Sequence, residues 1–391
     1  MSTTTLGDLA AAGVLELGDG YRTKRGEHGR PGYRILRVAD VGDGAVRADG
    51  PDFVSEDFVR QIGPKAARAG DVLLTTKGTV GRVAIMPEHT EPVVYSPQLC
   101  YFRILDPSRL SARWLAYWFK SGEFLMQASH RANNTDMAAY INLADIRSLV
   151  LPDVDVRKQR GIAEVLGALD DKIAANRRAE RASVELIGAL YKRAVEGGAR
   201  KRPFLDVLDV DFGEPFKGAS FSEAGVGRPL IRIRDLKTFK SQVWTTEVRQ
   251  RETIVEPGDV VFGMDAEFRA TWWLGEEGLL NQRVCRVRSK DFGLALVAPM
   301  ITAPLISIER AKSATTVIHL NKRDLEQAKV VVPESGKVDE FENLAEPVLA
   351  HRVQLARESR LLAQTRDEIL PLLMSGKVRV KDAEKVVEGV V

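Results

Sequence analysis

Apolar residues return at helical spacing along two long stretches of this chain. In the first, Ile162, Leu166, Leu169 and Ile173 are followed by a polar interval of Asn176, Glu180 and Ser183, after which Ile187, Leu190 and Ala194 resume the stripe. It begins just after Pro152 and stops at Gly197 and Gly198. The second starts after Pro333 and Gly336 and stops near Gly376, with Phe341, Val348, Leu355, Leu362 and Ile369 every seven residues and Leu344 and Leu372 completing the seam. Its middle is polar too: His351, Glu358 and Thr365. Seven-residue apolar spacing over about five heptads predicts a coiled-coil seam rather than a helix lying on a sheet. Two such helices in one chain most simply pack on each other, and about 40 residues at roughly 1.5 Å rise make a rod of about 60 Å. The alternative is a pair of amphipathic core helices. Polar residues inside both seams count against it, because a buried Asn or Glu costs stability and often encodes register or partner choice.

Each helical stretch follows a segment of short β-type runs. Residues 1–152 contain Tyr33–Val38, Asp71–Thr75 and Leu99–Ile104, then helical pattern around Trp114–Met126. The segment before the second helix repeats that order with Leu230–Ile233, Asp259–Phe262 and Val284–Val287, then apolar helical pattern around Leu294–Ile301. RVADV at Arg37–Val41 echoes RIRDL at Arg232–Leu236, and AGDVLL at Ala69–Leu74 echoes PGDVVF at Pro257–Phe262. The chain therefore reads as α+β and duplicated, with segments 1–152, 153–198, 199–332 and 333–376 and a tail 377–391. If the helices run antiparallel, the two mixed domains are held apart and related by an approximate two-fold axis. The likeness lies in framework positions and is lost in the loops, which points to two related jobs on different targets.

Composition narrows the class. With 391 residues, 44% hydrophobic and 28% charged, the chain is ordinary globular protein of two or three domains. Two distant cysteines, Cys100 and Cys285, fit a reducing cytoplasm and read as buried small hydrophobes. The N-terminus lacks the basic flank and apolar core of a signal peptide, and no run approaches the roughly 20 apolar residues of a membrane span. Net charge is only +3 and thinly spread, so any nucleic-acid binding by the chain alone is expected to be weak, with further phosphate contacts supplied by partners.

Catalytic signatures are missing together. There is no phosphate-cradling GxxxxGK[ST], no histidine pair at metal spacing, and none of the Asn-Pro-Pro-aromatic or Asp-Pro-Pro-aromatic motifs that grip a flipped base. The glycine-rich GEHGRPG at Gly26–Gly32 lacks the strand-turn-helix setting of a dinucleotide fingerprint. The chain looks like a reader or a scaffold.

RKQRGIAEVLGALDDKIAANRR resembles the central region of the specificity subunit of type I restriction-modification enzymes, supplying Gln159, Ile162, Ala163, Leu169, Asp170, Lys172 and Ile173, with Lys158 where that family commonly has Glu. RDEILPLLMSGKVRV at Arg366–Val380 resembles the family's closing signature, and Gly263–Val287 is similar to a stretch of its target-recognition domains. The resemblance implies two target-recognition domains separated by an antiparallel coiled coil, each domain reading one half of a bipartite double-stranded DNA site. It implies docking of two methyltransferase (modification) subunits, with restriction (translocase-nuclease) subunits as a further partner. S-adenosylmethionine, ATP and Mg would belong to those partners, with no cofactor or metal and no catalysis in this chain. The alternatives are a coiled-coil interaction scaffold without DNA reading and an undetected nuclease or methyltransferase domain.

Reading bases takes two-pronged side chains presented from loops. In the first domain, Thr75, Thr76, Lys77, Thr79 and Arg82 lie on a glycine-bearing turn, suited to phosphates or equally to a solvated hairpin. Arg131, Asn133, Asn134 and Thr135 follow a helix, where paired amides could read bases or cap a turn. In the second, Lys217 marks a candidate phosphate turn, Glu267 and Arg269 flank a loop, and Asn281, Gln282 and Arg283 precede a strand. Alternation on a strand would let Asn281 and Arg283 face DNA while Gln282 supports the fold, or the reverse. Trp272 and Trp273 are either base-stacking platforms or core.

Overall fold

A computed structural model describes residues 4–131, 133–135, 138–265, 267–312 and 319–389, without the side chains of 133–135, 138 and 139. The chain divides into two compact units, residues 1–171 with 362–391 and residues 172–361, so both long helices contribute to each unit.

In the first unit a four-stranded antiparallel sheet runs in the order Leu15–Asp19, Leu99–Ile104, Val72–Thr75, Val83–Ile85. Beside it lie Phe53–Ser55, Gly32–Leu36 and Val93–Tyr95, the last two parallel. The second unit has the same layout. Its antiparallel sheet is Asp209–Phe212, Val284–Arg288, Val260–Gly263, Thr271–Trp272. Its other sheet contains Val243–Thr245, Arg228–Ile231 and Gly278–Leu280, again with the last two parallel. Each unit also pairs its first strand with the strand leading into a long helix: Thr4–Thr5 with Val150–Leu151, and Ala199–Pro203 with Lys329–Pro333.

The sequence echoes are sites of hydrogen bonding. Asp71, 1% exposed, accepts from Arg103 Nε at 2.9 Å and Nη2 at 2.7 Å, and from the Arg68 amide at 3.0 Å. Asp259, also 1% exposed, accepts from Arg288 Nε at 2.7 Å and Nη2 at 2.9 Å, and from the Glu256 amide at 2.9 Å. Each pair joins the start of one central strand to its neighbour by a two-pronged, charge-assisted contact. The Arg37–Val41 and Arg232–Leu236 echoes are short turns in which Asp40 and Asp235 accept the amides of Arg37 and Arg232 at 2.7 and 3.0 Å.

The helical stretches fold as Val156–Glu196 and Ser335–Met374. Within the second unit they run antiparallel, since Asn176 Nδ2 donates to Glu358 at 2.8 Å while Arg193 pairs with Glu340 at 2.9 Å. Asn176 and Glu358 of the polar middle thus partner each other. Ile162, Leu166, Leu169, Ile173, Ile187, Phe341, Leu355, Leu362 and Ile369 are buried, and Leu190 and Val348 are partly so. Leu344 and Leu372, placed in the seam from spacing, are instead 46% and 37% exposed. Around Leu344 the helix turns toward the helix Leu294–Lys312, where Glu342 and Glu346 accept the amides of Gly293 and Ala295 at 2.7 and 2.8 Å. Ala345 and Leu349 therefore take the buried face there, as Leu370 and Leu373 do beside Leu372. The tail contains a further helix, Val380–Glu388, which buries Ala383 and Val387.

Leu294–Lys312 has 19 residues and a mean hydropathy of 1.4, long and apolar enough by composition to cross a membrane, against the expectation of no such run. Its residues Leu296, Val297, Met300, Ile301 and Leu305 are buried in the second unit's core, which accounts for that composition without a bilayer.

Replacing Asp71 by Asn should leave the Arg103 charge buried and cost about 3 to 5 kcal/mol. Asp259→Asn should cost less, because Arg288 is 40% exposed and Arg103 only 7%. Chemical denaturation of the full chain measures both, and equal or negligible losses would discard this view of the pair.

Candidate nucleic-acid interface

The turn after Val72–Thr75 is built around Thr75, whose buried hydroxyl donates to Thr79 O and accepts the Arg82 amide at 2.9 Å. Thr76 Oγ1 donates to Gln98 O at 3.0 Å. Both hydroxyls are spent holding the loop, so what the loop presents outward is Lys77 and Thr79. Gly78 and Gly81 sit at φ +78° and +95°, a backbone region open chiefly to glycine. Arg82 is half-buried and donates to Val41 O at 3.3 Å. The Lys77 ammonium lies 5.6 Å from the centre of the Tyr140 ring.

These residues line a cleft of about 950 Å3 whose other walls carry Tyr21, Arg22, His28, Arg37, Ser96 and Gln98. Its lining holds Arg22, Arg37, Lys77 and Arg82 and no carboxylate, so the cleft is cationic and suited to a polyanion. Arg37 also pairs with Asp52. Sequence reasoning missed Tyr21, Arg22, His28, Arg37 and Gln98, which come together only through sheet pairing. Arg131 turns elsewhere: its guanidinium donates to Ser148 Oγ at 3.0 Å and Gln127 O at 3.1 Å, fastening the end of its own helix. Asn133 and Asn134 lie on the strand Asn133–Thr135, paired with Ala138–Tyr140, and their side chains, like that of Thr135, are outside the described residues.

In the second unit Asn281, Gln282 and Arg283 form a turn rather than a strand, with the Val284 amide bonded to Asn281 O at 2.9 Å. Alternation therefore does not apply: Asn281 is buried, and Gln282 and Arg283 are both exposed. Arg283 Nη1 lies 3.4 Å from Asp265 Oδ1 and 3.2 Å from His319 Nδ1, which is itself 2.7 Å from Asp265. Glu267 pairs with Lys237 at 3.5 Å and Arg269 at 3.6 Å. Lys217 is exposed, but its amide is taken by Glu247 at 2.7 Å, so that turn offers only its side chain. Trp272 and Trp273 are core, their indole N–H groups bonded to Leu294 O at 2.8 Å and Glu276 O at 2.7 Å.

Burial pushes both cysteine thiols, Cys100 and Cys285, well up, which keeps them protonated and inert. Among the described residues no cluster of three His, Cys, Asp or Glu could hold a metal. Tyr117 is raised by burial and by the Asp170 carboxylate, to which its hydroxyl donates at 2.7 Å. Asp170 also accepts from Arg366 at 2.6 Å, so within the first unit one carboxylate ties the helix Ala112–Trp118 to both long helices.

Residues 3–186 match the family described as the type I restriction modification DNA specificity domain. The type I restriction enzyme EcoBI specificity subunit of Escherichia coli is 26% identical over 190 residues, 47% of this chain and 40% of that protein. That alignment thus spans well under two thirds of the relative's own length. The MjaIX specificity subunit of Methanocaldococcus jannaschii is 19% identical over 376 residues, covering 84% of this chain and 82% of that one. The crystal structure of the type I restriction-modification system S subunit from M. genitalium shares the fold, with a TM-score of 0.56 at 14% identity and 95% coverage of each chain.

Thr75→Val should leave the Arg82 amide without its acceptor and cost about 1 to 3 kcal/mol. Amide exchange at Arg82 should quicken in that variant; unchanged protection would show that the hydroxyl does not hold the loop.

Proposed function

We propose, from the match of residues 3–186 to the type I restriction modification DNA specificity domain family, that this chain is the DNA-reading subunit of such a complex. Each unit reads one half of a bipartite duplex site. The observation that carries this is the repeated scaffold with unlike loops: the two units share sheet order and an Asp–Arg pair with a buried carboxylate, yet one exposes Lys77 and Gln98 where the other has a half-buried Asp265 and an exposed Arg283. A scaffold that only bound protein would have no need of the cationic cleft at the first unit's loops.

The long helices dock two methyltransferase subunits, and restriction subunits with translocase and nuclease activity join the same complex. The chain is non-catalytic; S-adenosylmethionine, ATP and Mg are used by the partners, and the complex works in the cytoplasm. With a net charge of only +3, the subunit alone holds DNA weakly and gains phosphate contacts on assembly.

Methylome sequencing with and without the gene should reveal one bipartite methyladenine motif that depends on this chain. An unchanged methylome in an otherwise active system would refute the assignment. In the reconstituted complex, Lys77→Ala should weaken duplex binding across sequences alike and lower the salt slope by about one.

A further inference from the structure

Hydrogen bonding aligns the two units residue by residue at their loops. In the first, the Ser96 amide donates to Leu36 O at 2.9 Å, the Leu99 amide to Ser96 O at 3.0 Å, and the Thr76 amide to Gln98 O at 2.9 Å. In the second, the Asn281 amide donates to Ile231 O at 3.1 Å, the Val284 amide to Asn281 O at 2.9 Å, and the Met264 amide to Arg283 O at 2.9 Å. Gln98 and Arg283 therefore occupy the same place, the last residue of a turn leading into a central strand. At each, the backbone carbonyl is tied to the neighbouring loop and the side chain is exposed.

The next positions match as well. The Lys77–Tyr140 bridge in one unit corresponds to the Asp265–His319 bridge in the other. The Ile141 amide bonds to Thr76 O at 3.1 Å, as the Leu320 amide bonds to Met264 O at 2.8 Å. Gln98 thus has an ammonium and a phenol ring nearby, whereas Arg283 has a carboxylate and an imidazole.

A side chain that reads a base needs a fixed backbone and a free two-pronged end. A Gln amide matches adenine N6 and N7, and an Arg fork matches guanine O6 and N7. Asp265 pairs with Nη1 of Arg283 and holds His319 through Nδ1; among the described residues nothing engages Nε or Nη2 of Arg283. We propose that this duplicated position is a specificity determinant in both units, Gln98 selecting an adenine in one half-site and Arg283 a guanine in the other. Asp265 is a positioning residue that aims the Arg283 fork. This rests on the DNA-reading function proposed above.

The test uses the reconstituted complex with its methyltransferase subunits, measured by competition among duplexes that differ at single base pairs of the wild-type motif. Gln98→Ala should reduce discrimination roughly 10-fold to 100-fold at one base pair of one half-site only. Arg283→Gln should do so at one base pair of the other half-site and shift its preference toward adenine. Asp265→Asn should reduce discrimination at the same base pair as Arg283→Gln, with Arg283→Lys as a variant that keeps the charge and loses the fork. Discrimination unchanged, with every duplex weakened alike, would overturn the proposal, as would both substitutions acting in one half-site. A wild-type complex with no sequence preference would instead overturn the function on which the proposal rests.

Discussion

A carboxylate taken out of water must be matched, and the fold of each unit is arranged around one that is. Asp71 and Asp259 are almost fully enclosed, and each is neutralised by an arginine from the adjoining strand and by an amide at its own turn. Such pairs contribute little net stability relative to apolar packing, because desolvation offsets most of the attraction. Their effect here is on register. Val72 lies opposite Phe102 and Val260 opposite Val287 on strands buried on both faces, and a slip of one residue would swap every side chain to the opposite face of a packed core and separate the charges. With register fixed at the strand start, the loops at the far end of the same strands are placed as well.

The helices apply the same rule in their polar middle. Asn176 is nearly buried and finds Glu358, and Asp170 finds both Arg366 and Tyr117. Arg352 is a harder case. It is buried with Nε and Nη1 unpartnered among the described residues and lies 5.3 Å from the centre of the Trp272 ring. Burial lowers its pKa, which the charge of Glu180 opposes, while burial raises Glu180. The ring face and one carboxylate thus carry a charge that an apolar seam could not tolerate, which ties this turn of the helix to the domain beside it.

Much of the framework was legible because it is governed by periodicity and by local hydrogen bonding. Heptad spacing located both helices, and the Gly-Asp-Val echoes located the paired strands and their carboxylates. Leu344 escaped because a helix that packs on a domain at one end and on another helix further along does not keep a single seam. The loops were less legible for a different reason. Thr75 and Thr76 look like ligand-facing hydroxyls until their bonds to Thr79 and Gln98 are seen. Gln98 sits in the unremarkable stretch SPQLC, and only strand pairing brings it beside Lys77 and Arg37. Nor does anything local say that Asn281 to Arg283 form a turn, which is the step that separates a buried Asn from an exposed Arg.

The division between a bonded framework and free loop side chains has an energetic consequence. Exposed side chains outside the core contribute within about 0.5 kcal/mol to stability. Gln98 and Arg283 hold their places through backbone carbonyls, which any residue supplies, so the side chain can change without disturbing the strand behind it. Thr75, Asp71 and Arg103 have no such freedom, since each side chain is itself a structural bond. A duplicated scaffold of this kind can therefore diverge at its loops in one unit without altering the other. That independence is what reading two unlike half-sites with one chain requires.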